Sequence, residues 1–133
     1  MFAEINIWAV AAAGVSAFVL GGLWYSPLLF ARAWMKEAGL TEAELEAGNP
    51  AVIYGLGFLL ALLAALVFAL FIGPKPELGF ALGAGFSAGL CWVAGSFGIN
   101  YLFERRSLKL FFINGGYHTV QFSLYGLVLG LWP

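Results

Sequence analysis

The sequence predicts an all-α integral membrane protein: four transmembrane helices in a bundle, with short amphipathic interfacial helices in the first cytoplasmic loop. Three observations predict it. Of the 133 residues, 62% are apolar and 17% aromatic, too many for a soluble domain of this size to cover its surface with polar groups. The four stretches 5–25, 51–72, 78–103 and 110–132 hold 92 of the 133 positions and none of the 13 charged residues. Random placement would put about nine charges there, so their exclusion has a cause, and burial in hydrocarbon supplies it. At a rise of ~1.5 Å per residue each stretch is also long enough to cross a core of roughly 30 Å.

The first stretch follows Met1-Phe2-Ala3-Glu4, which has no Lys or Arg. The stretch is longer than the roughly 7 to 15 apolar residues of a signal peptide, so it is expected to be retained and to span. In residues 26–50, Pro27 suits a first helical position. Leu28, Leu29, Phe30, Ala33 and Trp34 alternate with Arg32, Lys36 and Glu37, a pattern for a helix lying at the membrane surface that Gly39 would end. Thr41-Glu42-Ala43-Glu44 has capping-box spacing and opens a second short helix that Gly48 stops. Asn49-Pro50 then offers a cap and a first residue for the second spanning helix. Gly73-Pro74-Lys75-Pro76-Glu77 is a tight turn into the third, and Glu104 to Lys109 a basic loop into the fourth. The whole chain, 1–133, is thus one transmembrane domain.

Five basic residues, Arg32, Lys36, Arg105, Arg106 and Lys109, fall in the first and third loops, against Lys75 alone on the other side. That bias places the two basic loops in the cytoplasm and both termini outside. The same five residues are topology anchors or lipid head-group contacts. Trp24, Tyr25 and Trp34 at one boundary and Trp8 and Trp132 at the other form aromatic belts.

Charge and composition exclude several functions. Net charge is −1 with no large basic cluster, so no nucleic-acid partner is expected. Cys91 is the only cysteine and His118 the only histidine, which excludes an internal disulfide and leaves no basis for a metal site. No span carries a carboxylate pair or a nucleophile with a base beside it, so the chain is not expected to be an enzyme. No cofactor is expected either; a pigment or haem could attach only at His118, with two-histidine haem ligation requiring a homodimer.

Two helices carry further patterning. In the third, Gly79, Gly83, Ser87, Cys91 and Gly95 recur every four residues, a small-residue row suited to close helix packing. Leu82, Phe86, Leu90, Val93 and Phe97 form a bulky ridge opposite, facing lipid or filling a gap. On the fourth helix at 100° per residue, Asn114, His118, Gln121 and Tyr125 share a fan about 60° wide. Gly126 and Gly130 fall with Gly115, Gly116, Thr119 and Ser123 in a sector for close helix contact, and a third sector of Ile113, Val120, Leu124, Leu127, Val128 and Leu131 faces lipid. The polar fan must turn to the bundle interior or a wet cavity, with Tyr117 beside it and Asn100 and Tyr101 as candidate partners. It serves either as polar glue between helices or as a ligand site.

The segments Leu23-Trp24-Tyr25-Ser26-Pro27-Leu28-Leu29-Phe30 and Asn114-Gly115-Gly116-Tyr117-His118, with Asn100-Tyr101-Leu102-Phe103-Glu104 between them, resemble the bacterial and fungal membrane-protein family called domain of unknown function 1761. The resemblance covers nearly the whole chain. It implies a small four-helix integral protein of a bacterial cytoplasmic membrane and carries no activity with it.

The leading expectation is a non-enzymatic bundle that self-associates as a homo-oligomer or joins other membrane subunits, with membrane lipids as its remaining partners. Four thin helices enclose little core of their own, and two close-packing faces are on offer. The alternative is a small transporter or a protein binding a hydrophobic or amphipathic ligand through the polar stripe.

Overall fold

A computed structural model describes residues 2–133, and among them the secondary structure is entirely helical. After a short 3-10 turn come α1 (Ile7–Trp24), α2 (Ala31–Ala38), α3 (Glu42–Ala47), α4 (Pro50–Ile72), α5 (Leu78–Glu104) and α6 (Leu108–Leu131). The helices α1, α4 and α5 are long and apolar enough to cross a membrane. The expected fourth span, α6, has the length, at 24 residues, but is less apolar. Asn114, His118, Thr119, Gln121, Ser123 and its two tyrosines lower its hydropathy, and they lie on the helix with the most neighbours.

Helix boundaries follow capping chemistry. Orphan N–H groups at each long helix start are met by a side-chain oxygen: Asn6 accepts from Ala9 N, Asn49 from Ala51 N and Val52 N, Glu77 from Gly79 N and Phe80 N, Ser107 from Leu110 N. Thr41 caps α3 by accepting from Glu44 N at 3.1 Å, as the capping-box spacing predicts, while the Glu44 carboxylate accepts from the Thr41 hydroxyl and not from its backbone N–H. Gly39 ends α2 in the left-handed region at φ 74°. The first surface helix departs from expectation at its start: residues 27–30 form turns, and α2 begins only at Ala31. Ser26 holds that turn by accepting from Leu28 N and donating to Leu23 O. Arg105, at φ 61°, closes α5, and its guanidinium donates to the freed carbonyls of Leu102 and Phe103.

Packing is arranged around α6. It runs beside α5 along most of its length and also contacts α1, while α1 packs on α4. Ala9, Val10, Ala13 and Ala17 of α1 meet Ala65, Phe68 and Ala69 of α4 in a core completed by Ala88, Tyr125 and Leu129. Alanine there lets two backbones approach without a hydrophobic force to draw them together. Between α5 and α6 the approach is closer still. A Cβ added at Gly126 would run into the Ala81 carbonyl, and one at Gly85 into the Phe122 carbonyl. Gly130 fits against Leu78 in the same way, so Gly126 and Gly130 do lie at a close helix contact.

The row chosen on the third span is corrected. The face of α5 against α6 is Ala81, Gly85, Ala88 and Gly89, whereas Gly79, Gly83, Ser87 and Cys91 are exposed and Gly95 is only half-buried. Nothing lies within 4 Å of a Cβ built at Gly83. Small residues occupy almost every position from Gly79 to Gly89, so two competing rows exist. A four-residue step also drifts about 40° around an α-helix, and the longer row cannot keep to one face. From Ala88 to Ala94 the helix widens to π geometry, which turns the following residues further.

Consecutive helices α4 and α5 barely touch. Between them lies an apolar groove of about 680 Å³, walled by Val67, Phe68 and Phe71 on one side and Ser87, Ala88 and Cys91 on the other, with Phe122 of α6 contributing. A smaller cavity of about 420 Å³ lies beside Lys109, among Phe30, Ala33, Leu108, Phe112 and Ile113.

Candidate functional site

The polar fan of α6 is brought together by hydrogen bonds to three other helices. Tyr125 is fully buried, and its phenol donates to the carbonyl oxygen of Ala61 on α4 at 2.8 Å. Gln121, 5% exposed, donates from Nε2 to the Tyr125 oxygen at 2.7 Å, and its Oε1 lies 2.6 Å from His118 Nδ1. Four groups therefore form one chain: imidazole, amide, phenol and main-chain carbonyl.

The direction of that chain is fixed by its far end. A carbonyl can only accept, so Tyr125 must give its single proton to Ala61 and accept from Gln121. Only the amide nitrogen can make that donation, which turns Oε1 toward the imidazole. His118 Nδ1 must then carry a proton, and in the neutral ring Nε2 is the bare acceptor. The ring lies nearly parallel to Phe97 of α5, with centroids 5.1 Å apart and planes at 14°, and meets Tyr117 edge-on at 4.8 Å.

A second cluster sits where α1 ends and α6 begins. Asn114 Oδ1 accepts from the Tyr25 phenol at 2.6 Å, and Asn114 Nδ2 donates to the Tyr101 oxygen at 2.7 Å. Tyr117 donates to the Ala17 carbonyl at 3.0 Å, and Trp24 Nε1 to the Ile113 carbonyl at 2.8 Å. Gly116 lets the Trp24 ring lie against α6. All five sequence-predicted polar positions on α6 thus engage in hydrogen bonds. Asn100 does not join them: it is exposed and outside the network. One residue moves a side chain 100° around the helix, and it is Tyr101 that points at Asn114.

Trp24 and Tyr25, expected as interfacial belt residues, both also bind α6. Amphipathic rings suit both roles, and the sequence held no signal for the second. Ala17 and Ala61 participate through backbone oxygen, which no side-chain pattern reveals. Ile113, placed by the wheel in the lipid sector, is buried at 5% exposure under that indole contact.

Of the basic residues, Arg106 pairs with Glu104 at 3.4 Å, Arg105 caps α5, and Lys109 borders the smaller cavity. Arg32 and Lys36 lie exposed on α2. Cys91 is a free, exposed thiol. Among the described residues no three His, Cys, Asp or Glu side chains converge on a metal-sized site.

These features define an apolar helical protein with membrane-length helices and an ordered internal polar network. The family described as Protein of unknown function (DUF1761) matches residues 8–130, and the chain belongs to that family. No curated protein and no solved structure is matched by the chain.

Proposed function

We propose that the protein crosses a bacterial cytoplasmic membrane four times as a helix bundle, with both termini outside, and acts without catalysis by associating with further copies of itself. The fourth crossing is supported by contacts at both ends of α6. At one end Asn6 Nδ2 donates to the Trp132 carbonyl at 3.1 Å, and at the other Trp24 bonds Ile113. α6 thus runs antiparallel beside the whole of α1, and a membrane that contains one contains the other. Orientation rests on the five basic residues in the loops at the α1–α4 and α5–α6 junctions.

The observation that carries self-association is the row Gly79, Gly83, Ser87 and Cys91 of α5, which stands exposed, with open space beside Gly83 and with Ser87 and Cys91 on the lip of the groove toward α4. In lipid, helices associate by close approach across such residues. Cys91 makes the test direct because the chain has no other thiol. Mild oxidation of native membranes should give one crosslinked species of twice the monomer mass, and Gly83→Leu should abolish it. A chain that stays monomeric both under oxidation and in native electrophoresis contradicts the proposal.

A further inference from the structure

His118 does not itself line the groove between α4 and α5, but the groove's end residues on two helices lead toward it. Val93 of α5 and Phe122 of α6 both line the groove. Phe97 and His118, which stack on each other, stand one helical turn beyond them, both toward the end carrying the basic loops. No side-chain nitrogen or oxygen buried among the described residues lacks a partner, so His118 Nε2, which makes no hydrogen bond, reaches the molecular surface. The Nδ1 side is committed to Gln121, and behind it the chain ends on the Ala61 carbonyl. Moving the ring proton from Nδ1 to Nε2 would therefore require the Gln121 amide to turn over and Tyr125 to give up its bond to Ala61.

We infer that His118 Nε2 and the α4–α5 groove form a binding site for a neutral amphiphile whose aromatic head carries a hydroxyl donor. The donor follows from the acceptor, since in an apolar surrounding an imidazole lone pair is satisfied only by an N–H or O–H. An aromatic head suits the neighbouring Phe97 and Tyr117 rings, which favour stacked or edge-on partners. The tail follows from the groove: its volume of about 680 Å³ lies within the ordinary range for small-molecule sites, and its walls are almost wholly hydrocarbon. A neutral head is required because the long helices place no charged side chain beside the ring to balance an ion. The groove shares Ser87 and Cys91 with the row proposed for self-association, but the donor contact at His118 involves no residue of that row.

Because His118 is the only histidine, labelling both ring nitrogens of histidine gives a single-site spectrum of the protein in lipid nanodiscs. The ligand-free protein should show Nδ1 protonated and Nε2 bare. Titrating para-dodecylphenol should move the Nε2 signal saturably toward that of a hydrogen-bonded acceptor. Its methyl ether, para-dodecylanisole, has the same tail and ring but no donor, and should leave the signal in place. Val67→Trp, which fills the groove from an exposed wall position, should raise the phenol concentration at half-saturation by roughly tenfold or more through lost tail burial. Equal responses to phenol and ether, no saturable response to the phenol, an unchanged response in Val67→Trp, or a proton found on Nε2 in place of Nδ1 would each overturn the inference.

Discussion

The Tyr125 phenol and the Ala61 carbonyl, 64 residues apart in sequence, meet at 2.8 Å in the interior. This bond joins α6 to α4, two helices that otherwise share few contacts, and it orders the donors of Gln121 and His118 behind it. Tyr125→Phe removes the shared hydroxyl, leaving one amide proton and one carbonyl lone pair without partners. The expected cost is about 1–2 kcal/mol, the upper part of the range for hydrogen bonds between membrane helices. Unfolding in mixed detergent micelles measures it, and a variant as stable as the parent would show that the bond contributes nothing.

Gly126 and Gly57 form a matched pair for the packing account. Both lie within long helices, but a methyl group at Gly126 collides with the Ala81 backbone while one at Gly57 enters open space. Gly126→Ala should destabilise by about 1–3 kcal/mol through overpacking. Gly57→Ala should be neutral or gain up to about 1 kcal/mol from reduced chain entropy. The same unfolding titration compares them, and equal effects at the two sites would refute the close α5–α6 contact.

Glu77 gives the fold a small acid sensitivity. Its carboxylate accepts from Gly79 N and Phe80 N, which holds its pKa below the usual glutamate range. A depressed folded value means that the stabilisation is present above the unfolded pKa, ordinarily about 4.3, and is lost as pH falls through the folded one. Thermal midpoints measured down through about pH 4 should fall less steeply in Glu77→Gln than in the parent. Parallel curves would remove Glu77 from the account.

Much of this was legible in the sequence because lipid burial is an unforgiving constraint. Absence of charge marked the four long helices, and side chains able to accept from backbone N–H groups marked their starts at Asn49 and the start of α3 at Thr41. The polar fan on α6 was legible for the same reason, since hydrogen-bonding groups in an apolar surrounding need partners. What those partners are was not. Two are backbone carbonyls, at Ala17 and Ala61, and two are aromatic residues, Trp24 and Tyr25, whose rings suit an interface equally well. The packing face of α5 was misread because glycine and alanine surround that helix and only the position of α6 distinguishes one row from another.

The proposed fourth crossing lays α6 against α1 with its amide, imidazole and phenol groups turned inward. Side-specific labelling tests it most directly: in a Cys91→Ser background, single cysteines are introduced at Ala3, Lys36, Lys75, Arg106 and Pro133, and intact cells are treated with a thiol reagent that cannot cross the membrane. Labelling at positions 3, 75 and 133 with protection at 36 and 106 is the predicted result. Protection at 133 together with labelling at 75 would leave α6 short of a crossing and contradict the account.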